Sequence, residues 1–279
     1  MSRLALPLLL ALALLGGPAM SGATGPRFVV YYSDAEPPEA FAPYDLLVLD
    51  SEHTPPLAPL AAAGKTLIGY LSVGEVEEHR AWFDAVKAEG LLLRENAVWR
   101  GSYFVDLRDG RWQRRVVEEL IPMLKARGFH GVFLDTLDNP VELERAEPEK
   151  YPGMAAAAAR LVRAIRERHP GFRIMMNRGF PLLPEVGDAI DWVLAESLSA
   201  DYDFETKTYG PARPEDEAAI LGMLAEAKKR HPKLGLLTLD YWNPDDPAGI
   251  ARLYALQRGR GFAPYVATVE LDRLVPEPP

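Results

Sequence analysis

The chain has 279 residues, of which 48% are hydrophobic and 9% aromatic, a composition that suits a globular protein with a sizeable core. It contains no cysteine, which excludes disulfide bonds and thiolate metal sites. Its formal charge of −9 at pH 7 disfavours nucleic acid as a partner and favours a cationic one.

Residues 1–23 have the pattern of a secretory signal peptide. A basic start at Arg3 precedes the apolar run LALPLLLALALLGG, and small residues follow, so we expect cleavage near Ser21 or Ala23. The apolar run is shorter than the ~20 residues that span a bilayer, and an uncleaved membrane anchor is the alternative. We therefore predict a mature domain over residues 24–279, without stable membrane insertion, that is secreted, periplasmic or at the cell surface.

Strand-like and helix-like segments alternate along this domain. Nine β-rich apolar runs occur in the order RFVVYYS (27–33), DLLVLD (45–50), TLIGYLSV (66–73), YFVDL (103–107), GVFLD (131–135), RIMMN (173–177), DWVLAES (191–197), LGLLTLDYW (234–242) and APYVATVEL (263–271). Four stretches between them have 3.6-residue apolar spacing and end at Gly or Pro: RWQRRVVEELIPMLKARG, GMAAAAARLVRAIRERHPG, RPEDEAAILGMLAEAKKRHPK and PAGIARLYALQRGRG. Continuous apolar strands that alternate with amphipathic helices predict an α/β fold with a parallel sheet, most simply a single-domain (β/α)8 TIM barrel.

A barrel of eight strands leaves one of the nine runs over. We assign YFVDL to an elaborated loop after the third strand, over residues 74–110, because this segment is rich in charged residues and Trp. No Pro-, Gly- or Ser-rich linker and no long repeat divides the chain, so we expect one domain.

Polar residues, most of them acidic, follow seven of the eight predicted barrel strands. In a TIM barrel the active site lies at these carboxyl ends of the strands. The residues are Asp34, Asp50, Glu52, Glu75, Asp135, Asp138, Asn177, Glu196 and Asp240. One such acid can simply cap the next helix, but the same feature at seven strand ends indicates an acid-rich pocket.

Carboxylates without cysteine, clustered histidine or a serine motif are typical of glycoside hydrolysis. One carboxyl group protonates the leaving oxygen, and the other attacks carbon or activates water. We predict Asp135 and Glu196 as this catalytic pair. The predicted substrate contacts combine the other strand-end residues with aromatic residues near the same rim, where Tyr202 also lies: Tyr31, Asp34, Asp50, Tyr70, Glu75, Asp138, Asn177, Asp240, Tyr241 and Trp242.

Metal chemistry is the competing interpretation of the acids. Only His53 and His79 fall near them, and neither an H-x-H nor an H-E-x-x-H motif occurs, so a zinc site is not expected. An oxygen-ligated Ca²⁺ or Mg²⁺ site is the remaining alternative. The glycines of GSYF and GRGFAP match no phosphate loop or dinucleotide fingerprint. We therefore predict no metal and no cofactor.

Six segments, taken together and in order, resemble glycoside hydrolase family 114, a family of secreted barrels related to endo-α-1,4-polygalactosaminidase. They are IGYLSVGE, YFVDLRD, GVFLDTLDN, MMNRG, ESL and LTLDYW, and the likeness extends from FVVYYS to YVATVEL. The resemblance implies cleavage of α-1,4 linkages between galactosamine units by Asp135 and Glu196. Independently, de-acetylated galactosamine polymers are cationic near neutral pH and would be attracted to an acid-rich pocket.

The alternative to an enzyme is a secreted barrel that binds cell-surface polysaccharide without cleaving it. The presence of both Asp135 and Glu196 favours the enzyme. We expect a monomer whose partner is a polysaccharide substrate, a cationic amino-sugar polymer, and not nucleic acid.

The sequence also suggests roles for the two carboxylates. We expect Asp135 to be the general acid/base, with a raised pKa because Asp138 and Asp50 crowd it, and Glu196 to be the nucleophile, although the roles could be exchanged. A Glu196 side chain that reaches across the fifth strand toward Asp135 would give the short separation of retaining enzymes.

Overall fold

The computed structural model describes residues 25–278, and its centre is one sheet of eight parallel strands in chain order. The strands are β1 (Phe28–Tyr31), β2 (Leu46–Leu49), β3 (Thr66–Ser72), β4 (Gly131–Asp135), β5 (Arg173–Asn177), β6 (Trp192–Glu196), β7 (Gly235–Tyr241) and β8 (Ala263–Ala267). Because β8 returns beside β1, the sheet curls into a nearly closed barrel. The predicted (β/α)8 fold is confirmed.

Helices between the strands cover most of the outer face of the barrel. The helices of the described residues are α1 (Leu57–Ala62), α2 (Phe83–Ala88), which lies within the loop after β3, α3 (Gly110–Arg115), α4 (Ile121–Arg127), α5 (Asn139–Ala146), α6 (Met154–Arg168), α7 (Leu183–Val186), α8 (Pro214–Arg230) and α9 (Pro247–Gly259). A π-helical turn, Val116–Leu120, joins α3 to α4, and 3-10 turns cover Pro38–Phe41 and Phe180–Leu182. The four amphipathic stretches of the sequence correspond to α3 with α4, α6, α8 and α9. All residues of β1 and β2 are buried, since helices cover one face and the barrel interior the other.

Two excursions rise from the carboxyl ends of the strands. The first follows β3 and forms an antiparallel sheet in the order Glu75–Glu77, Ser102–Val105, Leu92–Glu95. YFVDL contributes its middle strand, so the assignment of this run to a loop after β3 is confirmed. The second follows β6 and is an antiparallel hairpin, Ala200–Asp203 with Thr208–Pro211, which we did not predict from the sequence.

The two excursions meet through Trp99 and Phe204, which we call the aromatic bridge. The ring centroids are 5.2 Å apart and the ring planes cross at 81°. Each side chain is nonetheless more than half exposed, at 56% and 51%. Strands β4 and β5 lie between β3 and β6 in the sheet, so the aromatic bridge joins the loops that follow the strands on either side of Asp135 and Asn177.

The predicted signal peptide, residues 1–23 with its cleavage site, lies outside the described residues. Within residues 25–278, no helix has both the length and the apolar character needed to cross a bilayer. The same range contains no group of three or more His, Cys, Asp or Glu side chains placed to hold a metal ion.

Candidate active site

Asp135, Asn177 and Glu196 end three neighbouring strands, and their side chains meet. The amide nitrogen Nδ2 of Asn177 donates to Asp135 Oδ1 at 2.9 Å and to Glu196 Oε2 at 2.5 Å. Two oxygens held by one nitrogen can be no farther apart than the sum of these distances, 5.4 Å. The side chain of the middle strand therefore fixes the spacing of the two carboxylates.

Two tyrosines bind the remaining carboxylate oxygens. Tyr70 on β3 donates its hydroxyl to Asp135 Oδ2 at 2.9 Å, and Tyr241 on β7 donates to Glu196 Oε1 at 2.5 Å. We predicted both residues as substrate contacts, but each hydroxyl is directed at a carboxylate. All four carboxylate oxygens thus have a donor, which restricts the rotamers of Asp135 and Glu196.

Burial changes the pKa values of Asp135 and of the two tyrosines from those of exposed side chains. It raises the pKa of Asp135 to about 7, and repulsion from Glu196 adds to this effect, while the hydrogen bond from Asn177 opposes it. Burial, followed by the nearby carboxylates, also holds the pKa of Tyr70 and of Tyr241 well above the usual range. Both tyrosines therefore stay protonated and act as donors, and Asp135 can hold a proton near neutral pH.

Asp50 does not crowd Asp135, contrary to our expectation. Its Oδ2 accepts from Arg80 Nη1 at 2.9 Å, and its Oδ1 accepts two backbone N–H groups of the following loop. Although burial raises the pKa of Asp50, Arg80 and these donors outweigh that effect and lower it below its ordinary value. The repulsion that Asp135 feels comes from Glu196 and, to a smaller extent, from Asp138. Asp50 instead neutralises a buried arginine that the sequence analysis missed.

Asp240 does not line the cleft, so this prediction is wrong. Side chains alternate along a strand, and Tyr241 reaches Glu196, so the neighbouring Asp240 faces the helices. There it is fully buried and accepts the N–H of Ser199 at 2.7 Å and the amide of Gln257 on α9 at 2.7 Å. Asp240 anchors the start of the hairpin instead of contacting substrate.

The same alternation misplaced the tyrosine of β1. Tyr31 is fully buried, packs edge-on against Phe41 at 5.3 Å and accepts the N–H of Glu36 at 3.0 Å. The next residue, Tyr32, contacts Tyr70 with ring centroids 5.1 Å apart. This contact places Tyr32 beside the tyrosine that donates to Asp135, and burial first, and then Asp135 and Glu196, raise the pKa of Tyr32. The sequence does not show which side chains of β1 point toward the site, and the choice of Tyr31 depended on that.

The other predicted contacts have different surroundings. Glu75 is buried and accepts amide hydrogens from Asn96 and Asn139, which ties the first excursion to α5. Trp242 donates its indole N–H to Asp246 at the start of α9. Asp34 is exposed on the loop after β1. Asp138 lies beside the site and pairs with Arg178 at 3.2 Å.

A groove of about 860 Å³ begins beside Asp138 and Arg178 and continues along the hairpin and α8. Tyr202 lines it, in contact with Tyr209 and Phe204. Acidic side chains in its lining outnumber arginines: Asp138, Glu142, Asp201, Asp203 and Asp216 against Arg178 and Arg213. A positively charged chain would be attracted into this groove.

The residue that follows each of Asp135, Asn177 and Glu196 has a left-handed backbone conformation. These are Thr136 (φ 63°), Arg178 (φ 51°) and Ser197 (φ 55°). A residue with a Cβ loses about 1–2 kcal/mol in this conformation. Neighbours hold the turn at Thr136, whose hydroxyl accepts the N–H of Gly74 at 2.8 Å. A Cβ on Gly74 would lie 2.2 Å from the Thr136 carbonyl oxygen, so only glycine permits this contact.

Several known proteins are similar to this chain in sequence or in fold. The glycoside hydrolase domain of PelA from Pseudomonas aeruginosa is 27% identical, with a TM-score of 0.79 over 90% of this chain and 98% of that one. Ega3 from Aspergillus fumigatus, solved in complex with galactosamine, shares the fold with a TM-score of 0.62 at 16% identity, over 90% of this chain and 94% of that one. An uncharacterized protein of Deinococcus radiodurans is 29% identical over 244 residues, 84% of this chain and 76% of the relative. Since the sequence model of glycoside-hydrolase family GH114 matches residues 19–278, the chain belongs to that family and is a glycoside hydrolase.

Proposed function

We propose that this enzyme cleaves α-1,4-linked galactosamine-type polysaccharide with Asp135 and Glu196 as its catalytic carboxylates. The observation that carries the proposal is the Asn177 amide, which holds one oxygen of each carboxylate at the carboxyl ends of the strands. Family membership and the galactosamine bound to the similarly folded Ega3 support the substrate class. The acidic groove suits the ammonium groups of a de-acetylated polymer.

The mechanism assigns one role to each carboxylate. Asp135, whose pKa is raised to about 7 by burial and by Glu196, gives its proton to the glycosidic oxygen as the bond to the anomeric carbon breaks. Glu196 forms the new bond to that carbon. Water then attacks the same carbon, Asp135 takes a proton from the water, and the Glu196 carboxylate is released.

The spacing of the carboxylates supports retention of configuration. Retaining enzymes have carboxyl groups about 5–5.5 Å apart, whereas inverting enzymes need about 6.5–9.5 Å for an intervening water. The two oxygens bound to Asn177 are at most 5.4 Å apart, the sum of their distances to its nitrogen. NMR during early hydrolysis should show an α product first, and a β product would contradict the nucleophile role of Glu196.

The predicted signal peptide places the enzyme outside the cytoplasm, where it meets polymeric substrate, and we propose that it acts as a monomer. The proposed chemistry uses side chains alone.

The decisive experiment is incubation of the purified protein with partially de-acetylated α-1,4-polygalactosamine and measurement of new reducing ends. Asp135→Asn should lower the rate about 10²–10⁴-fold. Glu196→Gln should abolish turnover, whereas Glu149→Gln, at an exposed position, is the matched control and should not change it. Binding of the polymer by the native protein without new reducing ends would favour a barrel that holds polysaccharide intact.

The roles of the two carboxylates can be separated with leaving groups. A nitrophenyl galactosaminide needs little protonation of its leaving oxygen, so Asp135→Asn should be far less impaired on it than on polymer. Glu196→Gln should be inactive on both. If Asp135→Asn kept full activity on polymer, the assignment of the acid would be wrong.

A further inference from the structure

The hydroxyl of Tyr70 lies between two carboxylates. It is 2.9 Å from Asp135 Oδ2 and 3.3 Å from Glu77 Oε1. A phenol carries one hydrogen, so Tyr70 can donate to only one of them at a time. Glu77 belongs to the first strand of the excursion after β3, and the mechanism above gives it no role.

Arg80 keeps Glu77 in place as an acceptor. Its Nη2 is 3.4 Å from Glu77 Oε1 and its Nε is 3.4 Å from Glu77 Oε2. The guanidinium carbon of Arg80 also lies 5.2 Å from the centre of the Tyr70 ring. The two acceptors therefore differ: Glu77 has a fixed cationic partner, while Asp135 gains and loses a proton in each catalytic cycle.

We propose that Tyr70 switches its hydrogen bond between Glu77 and Asp135 as Asp135 changes protonation state. The inference rests on the proposed function, in which Asp135 is the acid/base. While Asp135 is protonated, Tyr70 donates to Glu77, because an ionised carboxylate is a stronger acceptor than a neutral carboxyl group. After Asp135 has given its proton to the leaving oxygen, Tyr70 donates to the new carboxylate.

The switch transfers no proton of its own. The Tyr70 hydrogen stays on its oxygen and moves only by rotation of the hydroxyl, so no heavy atom has to shift. The proton that Asp135 loses goes to the leaving group, and the one it regains comes from water. In both states the Tyr70 hydrogen faces a charged acceptor, and Asp135 gains this donor only when it is ionised. Tyr70 is thus a positioning residue, and Glu77 is its second acceptor.

Other titratable groups around Tyr70 set the absolute position of the pH profile. Asp135 is surrounded by Glu196 at the end of β6, Asp138 on its own loop, Tyr241 on β7 and Tyr32 after β1. Around Glu77 and Arg80 the corresponding groups are Asp50 and Glu52 on the loop after β2. The test therefore compares variants in which these groups are unchanged.

The switch predicts opposite effects for its two partners on the alkaline limb of kcat/KM, which reports the acid of the substrate-free enzyme. Tyr70→Phe removes a donor from ionised Asp135 and should move this limb up by about one pH unit. Glu77→Gln removes the competing acceptor, so the hydroxyl stays on Asp135, and should move the limb down by a similar amount. If Tyr70 and Glu77 had only structural roles, the two variants would lower kcat but would not move the alkaline limb in opposite directions.

The double variant distinguishes the switch from simple repulsion by Glu77. Without the hydroxyl, Glu77 can act on Asp135 only through its charge, so Glu77→Gln should shift the limb less in the Tyr70→Phe background than in the native one. Equal shifts in both backgrounds, or single variants that shift in the same direction, would overturn the proposal.

Two further variants test the switch and the proposed function separately. Glu77→Asp keeps the charge beside Arg80 but withdraws the acceptor by one methylene, so it should shift the limb in the same direction as Glu77→Gln, even if the latter folds poorly. A shift in the other direction would contradict the switch. Asp135→Asn tests the proposed function itself, because it should remove the alkaline limb on polymer. If that limb persisted in Asp135→Asn, the assigned acid, and not only the switch, would be wrong.

Discussion

At the scale of single residues, the site combines a buried acid with donors for every carboxylate oxygen. Asn177, Tyr70 and Tyr241 restrain the two carboxylates, but they do not cancel the unfavourable burial of Asp135 beside Glu196. A carboxyl group with a raised pKa is useful as a general acid and unfavourable for folding once it is ionised.

Asp135→Asn should therefore stabilise the protein, and more so at high pH. The pKa of Asp135 is raised to about 7 in the folded protein by burial and Glu196, against about 3.9 for an unfolded chain. The stability linked to its proton is complete below the unfolded pKa and is lost as pH rises through about 7. Thermal unfolding should thus show a larger gain in Tm for the variant at pH 8 than at pH 5. A gain independent of pH would show that the carboxyl group is not buried as described.

Arg80 should be needed for folding as well as for the position of Glu77. Its side chain is 4% exposed and pairs with Asp50 and Glu77. Arg80→Met leaves the buried Asp50 and the partly buried Glu77 without their cation, which should lower the free energy of unfolding by about 3–5 kcal/mol in urea denaturation. Arg145→Met removes an exposed pair with Glu142 and is the control expected to show no measurable change. Equal stability of the two variants would mean that the Arg80 pairs contribute nothing.

The sequence predicted the central residues but not the direction of every side chain. Asp135 and Glu196 could be proposed because they lie at the carboxyl ends of predicted barrel strands, the face of a TIM barrel that carries its active site. Tyr31 was selected where Tyr32 faces the site, since an apolar strand buried on both faces has no alternation that reveals its phase. Arg80 was missed because two of its partners, Asp50 and Glu52, lie on the loop after β2, far from it in sequence.

At the scale of elements, the barrel strands and the four longest helical segments followed from hydrophobic periodicity, while the shorter helices did not and the excursions did so only in part. YFVDL could be excluded from the barrel because charged residues surround it. The hairpin after β6 was not visible, since its strands, Ala200–Asp203 and Thr208–Pro211, contain no apolar run. Its position depends on Asp240, a residue distant from it in sequence, which accepts the N–H groups of Ser199 and Ala200.

Asp240→Ala should release the base of this hairpin. Two backbone donors and the Gln257 amide would lose their acceptor, at a cost of about 3 kcal/mol of unfolding free energy. Asp240→Asn is the matched control, because it keeps an oxygen for the backbone donors. Limited proteolysis with mass spectrometry should show faster cleavage between residues 200 and 211 in Asp240→Ala alone. Identical cleavage of the two variants would remove Asp240 from this role.

At the scale of the whole molecule, the acidic surface and the acidic groove act in the same direction. The chain carries a formal charge of −9, and five acidic side chains against two arginines line the groove beside the carboxylates. Long-range attraction of this kind raises the rate of encounter with a cationic polymer and is screened by salt.

The kcat/KM on de-acetylated polymer should therefore fall several-fold as salt increases from about 0.01 to about 0.5 M, because the Debye length falls from about 30 Å to less than about 10 Å. The N-acetylated form of the same polymer is neutral and is the matched control. Its rate of hydrolysis should not depend on salt. A parallel fall for both polymers would show that charge does not guide the substrate.

The aromatic bridge has a consequence for the ends and the middle of a long substrate. Trp99 and Phe204 join the loops after β3 and β6, on either side of the strands that carry Asp135 and Asn177. We therefore predict that a chain end is threaded beneath the two rings, whereas an internal segment enters only when the rings separate. An exposed aromatic pair is worth only about 1 kcal/mol, so thermal motion opens it often. Because the chain has no cysteine, a Trp99→Cys/Phe204→Cys variant could be closed specifically with a short bis-maleimide. Size-exclusion chromatography should then show that mid-chain scission gives way to the slow trimming of polymer from its termini.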